Sequence, residues 1–185
     1  MNFGLTDEQE MVVNTVRTFV ENEIYPLEKE VEKTGLVPDE IGQEIKNKVL
    51  KLGFFAPNMP EDVGGGGLDN LSFALLEREL GRGSQGLTIF WGRPSNILLA
   101  CNQEQKEEYL FPAIKGEKFD ALAMTEPGAG SDVRGMKCFA KKDGEDFIIN
   151  GTKHFISHAN IADFVIVFIA TGEEETPKGK KKLIT

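Results

Sequence analysis

Apolar positions recur at helical spacing through the first two thirds of the chain, and then the period changes. Met11, Val12, Val16, Phe19, Val20 and Ile24 fall three or four apart, and Thr6 with Gln9 forms a capping-box pattern. This spacing predicts a helix from about residue 7 to residue 25, ended by Pro26. Pro38 stands at the start of a second stripe, Ile41, Ile45, Val49 and Leu52, which Gly53 is placed to close. The run FFAPNMPEDVGGGGLDN is dense in helix breakers and predicts a long turn. Leu71, Leu75, Leu76 and Leu80 mark a third helix closed by Gly81. Leu87 to Cys101 reads as a fourth helix with a break near Pro94, and Gln103 to Ile114 as a fifth.

After Gly116 the pattern is that of strands. KCFAKKDGEDFIINGTKHFIS holds two turn dipeptides, Asp143-Gly144 and Asn150-Gly151, between runs rich in Phe and Ile, a strong local hairpin signal. DFVIVFIATG predicts a further strand, EEETPKGKKK a polar loop, and LIT the opening of another strand. The pattern therefore gives an α+β multidomain chain: an N-terminal all-α helical domain over 1–118, then the beginning of an antiparallel β domain over 119–185. So few strands would leave an exposed edge and half a core, so the chain reads as a fragment of something longer.

Composition narrows the function classes. The chain has 185 residues, 40% hydrophobic and 28% charged, which suits a folded soluble protein. Twenty-one Lys and Arg against 30 Asp and Glu give a formal charge of −9, with no basic stripe, so nucleic-acid binding has no electrostatic support. The longest apolar stretch, Ala162 to Thr171, is far shorter than the roughly 20 residues of a membrane span. MNFGLTDEQE carries no targeting pattern, so the expected location is cytoplasmic, or the mitochondrial matrix if a leader has been removed. Cys101 and Cys138 are isolated in sequence and expected to be buried small side chains.

The chemistry concentrates in ALAMTEPGAGSDVRG, residues 121–135. Its Pro, Gly and Asp suit a surface turn. It lacks the GxGxxG spacing and strand–turn–helix setting of a dinucleotide fold. Successive glycines after a strand also expose backbone N–H groups as an anion nest, with the Ser131 hydroxyl as a further donor, and a phosphate or pyrophosphate is the natural guest. His154 and His158 are four apart, but on a strand followed by a turn they lie far apart, and no HExxH glutamate intervenes, so a metal site is rejected. Glu173 to Glu175 reads as a solvated loop.

Ala123-Met124-Thr125-Glu126, then Ala129-Gly130-Ser131-Asp132, then Gly135 satisfies each position of the acyl-CoA dehydrogenase signature, and the chain resembles that family along its length. LTDEQ opens the first helix, PEDVGGGGLD matches a Gly-rich loop, NQEQKEEYLFPAIKGEK a glutamine-rich helix, and INGTKHFIS the Ile-Asn-Gly-x-Lys-x-Trp-Ile-Thr strand. The resemblance implies a subunit about twice this long, a dimer or tetramer, with a helical domain, a middle β domain and a C-terminal helical bundle. It implies FAD on the middle domain, with Leu122, Met124 and Thr125 along the isoalloxazine and Gly130 and Ser131 at the pyrophosphate. Phe155 replaces the usual Trp on the dimethylbenzene side, beside Ile156, and Ser157 replaces the usual Thr near flavin N5. Ser131 is also a candidate acyl-CoA contact. Trp91 and Arg93 fall where the helical domain closes the acyl end of the pocket, and Arg93 reads either as a partner for a carboxylate-bearing acyl group or as a surface arginine. The implied reaction is α,β-dehydrogenation of an acyl-CoA, with electrons passing to an electron-transfer flavoprotein. The catalytic base is expected beyond Thr185, and Glu126 is expected to support the turn. An inactive interaction module and a flavin oxidase relative, of the acyl-CoA oxidase or nitroalkane oxidase type, are the alternatives.

Overall fold

The computed structural model describes residues 4–177 and 179–185. The chain divides into two compact units, one ending at Glu117 and one spanning Lys118–Thr185. The first is helical and the second is built of strands.

In the helical unit, α1 (Asp7–Phe19) starts on the full capping box. The Thr6 hydroxyl accepts from Gln9 N–H, and the Gln9 side chain accepts from Thr6 N–H. Pro26 does not end the helix. A π-helical turn, Val20–Ile24, carries the chain into α2 (Tyr25–Thr34), with Tyr25 N–H reaching back five residues to the Val20 carbonyl. Pro26 then lies in the first turn of α2, where a missing N–H leaves no gap in the ladder. The same device recurs later, where the π turn Lys106–Leu110 joins α6 (Gln103–Gln105) to α7 (Phe111–Ile114) at Pro112. A widened turn next to each proline relieves the clash that would otherwise break the helix.

Between these lie α3 (Asp39–Leu52), closed by Gly53 in the left-handed conformation, and α4 (Asn70–Leu80), capped by the Asp69 carboxylate. The helix expected over Leu87–Cys101 is instead α5 (Gln85–Thr88) and two 3-10 turns, Ile89–Trp91 and Asn96–Ala100. Gly92 separates the turns at φ +74, where a Cβ would stand 2.0 Å from the Phe55 ring. Close approach of that ring, together with Pro94, overrides the apolar period. The core joins Val16, Phe19, Ile24, Val49, Leu76 and Trp91, with Phe19 edge-on to Trp91 at 5.0 Å. α1 packs on α4, and Glu79, buried on α4, accepts two bonds from Arg17 on α1 at 3.0 and 3.1 Å. Arg78 and Arg82 also pair with it. Arg17 is the largest influence holding the Glu79 carboxyl below its usual range.

In the second unit, β1 (Asp120–Ala123) runs parallel to β4 (Phe164–Val167), with Leu122 opposite Ile166. The other sheet has the order β3-β2-β5-β6. β2 (Phe139–Asp143) and β3 (Asp146–Asn150) form the hairpin expected at Asp143-Gly144. β2 also meets β5 (Ala170–Thr176) in a short parallel pairing, so the two antiparallel hairpins are joined in parallel.

Three strand expectations are corrected. Asn150-Gly151 is no hairpin turn: Gly151–Asp163 is irregular, and Gly151, at φ +141, presses so near β2 that a Cβ would stand 2.6 Å from Cys138 Cα. DFVIVFIATG is two strands, interrupted at Phe168 and Ile169. The polar stretch expected as a loop belongs to a hairpin of β5 with β6 (Gly179–Ile184), which also takes in the leucine and isoleucine of LIT. Glu173, Glu174 and Glu175 stand opposite Lys182, Lys181 and Lys180. Opposite charges across the ladder hold a strand pair that apolar periodicity does not signal. Cys138 is buried, whereas Cys101 is only half-buried.

Candidate functional site

Along β1 the alternation places Ala121 and Ala123 inward and leaves Leu122 40% exposed. Phe168 N–H donates to the Ala123 carbonyl at 3.0 Å and prolongs the parallel pairing to the end of β1. The chain then passes through half-buried Met124 and Thr125 into a tight turn. Glu126 and Ala129 exchange backbone bonds of 3.0 and 3.1 Å across Pro127-Gly128. Beyond it Gly130 and Ser131 are exposed, and a 3-10 turn, Val133–Gly135, begins at Asp132. Among the described residues nothing accepts from the N–H groups of Gly130 and Ser131, which leaves them to a ligand or to solvent.

The Glu126 carboxylate is buried and fully engaged. One oxygen accepts from Lys137 N–H at 2.5 Å; the other accepts from Cys138 N–H and from Lys153 Nζ, both at 2.9 Å. Burial is the largest single influence and pushes its pKa upward. The three donors together outweigh it, so the carboxyl lies below its usual range and is ionised. Lys153 Nζ also donates to the Met124 carbonyl at 3.0 Å, and His154 N–H donates to the Thr125 carbonyl at 2.8 Å. One acid and one base thus tie the turn, the start of β2 and the segment after Gly151 into a single support.

That support brings Met124 and Thr125 beside the stretch that carries Phe155, Ile156 and Ser157. Phe155 holds a left-handed backbone at φ +54 with 83% of its surface exposed, and the His154 ring stacks on it with centroids 3.6 Å apart. A left-handed backbone at a non-glycine residue carries strain. Ile156 is half-buried and Ser157 exposed. Among the described residues no group of three His, Cys, Asp or Glu could hold a metal ion. Arg93 lies in the helical unit, its Nη1 bonded to both oxygens of Glu77 at 2.9 and 3.0 Å, and Trp91 is wholly buried.

These features fit a flat ring with an anionic tail. Exposed Leu122 and Phe155 offer apolar surface, the 124–126 backbone offers an edge, and the free N–H groups of Gly130 and Ser131 offer donors for a diphosphate. Sequence reasoning missed Lys153. Its only signal was its place in INGTK, and its role depends on a bond to a residue 27 positions earlier.

Residues 6–117 match the family model of the acyl-CoA dehydrogenase N-terminal domain, and residues 121–184 match that of its middle domain. A 3-(aryl)acrylate reductase of Clostridium sporogenes is 40% identical over 179 residues, 94% of this chain and 46% of that protein. The caffeyl-CoA reductase-Etf complex subunit CarC of Acetobacterium woodii is 34% identical over 94% of this chain and 46% of its own length. A crystal structure of a glutaryl-CoA dehydrogenase from Mycobacterium smegmatis in complex with FADH2 superposes with a TM-score of 0.78 at 28% identity, covering 98% of this chain and 46% of that one. The chain spans about half the length of the curated relatives it matches.

Proposed function

Because this chain belongs to the acyl-CoA dehydrogenase family, we propose that the protein exchanges hydrogen at the α and β carbons of an acyl-CoA thioester, with FAD held by the second unit. The observation that carries the reading is the Glu126–Lys153 support, which joins the two segments proposed to face the flavin. Leu122, Met124, Thr125, Phe155 and Ile156 would flank the ring, Ser157 would stand near its reactive nitrogen, and Gly130 and Ser131 would donate to the pyrophosphate. When bound, FAD would accept the β-hydrogen as hydride as a base takes the α-proton.

This chain's own groups position and do not abstract. Both Glu126 oxygens are occupied by donors, so we assign the α-proton to a carboxylate outside residues 1–185. The Lys153–His154 stretch fixes the Met124 and Thr125 carbonyls, which sets the ring's edge before any ligand arrives. Arg93 remains a specificity candidate, but a carboxylate-bearing acyl group would have to displace Glu77 to reach it. We further propose a homo-oligomer as the assembly and an electron-transfer flavoprotein as redox partner, in line with the Etf complex named for one relative.

Two relatives are named as reductases, which favours a second reading in which the same site hydrogenates an enoyl-CoA. Anaerobic mixing tests the reversible half-reaction that both readings share. The FAD-loaded protein should lose its flavin's visible absorption with a saturated acyl-CoA if it dehydrogenates. The reduced protein should regain it with an enoyl-CoA if it hydrogenates. A flavin indifferent to both would contradict the proposal.

A further inference from the structure

In the segment after Gly151, three consecutive side chains divide between two directions. Lys153 turns inward, with 10% of its side chain exposed, onto the Glu126 carboxylate and the Met124 carbonyl. His154 follows and is exposed, as alternation along an extended chain requires. The same alternation would return Phe155 to the side of Lys153. Instead the φ of +54 at Phe155 turns the chain, and its exposed ring lies against the ring of its predecessor, with centroids 3.6 Å apart and planes 33° from parallel.

Successive side chains of an extended chain do not stack, so this contact exists only because residue 155 is left-handed. Phenylalanine in that conformation costs energy that glycine would not. With 83% of its surface exposed, Phe155 has little packing within the fold to hold it in place. Among the described residues its stacking partner is the His154 ring. His154 is itself tethered, because its N–H donates to the Thr125 carbonyl at 2.8 Å and the residue before it is locked onto Glu126. The imidazole is thus carried on an anchored backbone, and the phenyl ring leans on it.

We propose that His154 is a positioning residue whose ring backs Phe155 and holds the phenyl ring in the orientation in which it meets the isoalloxazine. The role rests on the flavin reading given above. A stack covers one face of a flat ring and leaves the opposite face and the edge open, so His154 and FAD do not compete for Phe155. What residue 154 supplies is a flat surface, which another aromatic ring can supply and a methyl group cannot.

Titration with FAD tests this, read as affinity and as the visible absorption of the bound flavin. Both side chains are exposed and the His154 N–H survives substitution, so the variants should fold. His154→Ala should weaken FAD binding by about fivefold, the scale of one aromatic pair, and move the absorption bands toward those of free FAD. His154→Tyr should restore both. In a Phe155→Ala background, His154→Ala should have no further effect, because the residue acts through the phenyl ring. Unchanged affinity and spectrum in His154→Ala, failure of Tyr to restore them, or an equal loss in the Phe155→Ala background would overturn the role of His154 alone. A wild type that binds no FAD would overturn the flavin reading and this role with it.

Discussion

Glu126 sets the geometry of the candidate site through three donors from two stretches of chain. Replacing it by Gln keeps an acceptor but leaves Lys153 a buried cation with only neutral partners. Glu126→Gln should therefore cost about 3 kcal/mol of stability, the scale for breaking a buried pair, measured by denaturant unfolding. The folded fraction should still exchange the α-proton of a bound acyl-CoA. Loss of that exchange with the fold intact would make Glu126 the base. At this scale the sequence reveals residue types but not their partners. The signature singled out Thr125, Glu126, Gly130 and Ser131 because their order is local. Lys153 and the Cys138 N–H were invisible, because their roles arise only when distant segments meet.

Among the elements, period and capping gave α1, α3 and α4 their places, because each has an apolar stripe and a local stop or start signal. The departures have physical causes. Prolines 26 and 112 are absorbed by π turns, and the charge-paired β5–β6 hairpin has no apolar alternation to detect. The Phe and Ile content of the segment after Gly151 predicts a strand, yet backbone contact with Cys138, just before β2, decides its path. Gly151→Ala should push that segment from Cys138, because the added Cβ meets backbone and the φ is one that alanine avoids. The expected cost is at least about 2 kcal/mol of stability. FAD affinity should fall as well, since His154 would lose its register with Thr125. Unchanged FAD affinity in a destabilised but folded variant would separate this segment from the cofactor.

For the whole molecule, the sequence conveyed the succession of a helical unit and a strand-built one, since the change in period near Gly116 coincides with a change in turn chemistry. It could not convey that each unit contains a buried ionised glutamate, Glu79 in the first and Glu126 in the second. Both carboxyls are held below their usual pKa, Glu79 chiefly by Arg17, and Glu126 by donors that overcome its burial. A lowered folded-state pKa means that the unfolded chain binds these protons first. The stabilisation is therefore complete above the unfolded value of about 4.3 and is lost as pH falls through the folded values. Melting temperature should be flat in this respect near neutrality and drop below about pH 4.3, and the drop should be smaller in Glu79→Gln, which has already lost one of the two groups. That the turn after β1 and the Phe155 segment form one flavin face is tested by a crystal structure of the FAD-loaded protein. It should show the isoalloxazine in contact with Met124, Thr125 and Phe155, and the pyrophosphate accepting from Gly130 and Ser131. FAD bound elsewhere, with Phe155 still exposed to solvent, would contradict it.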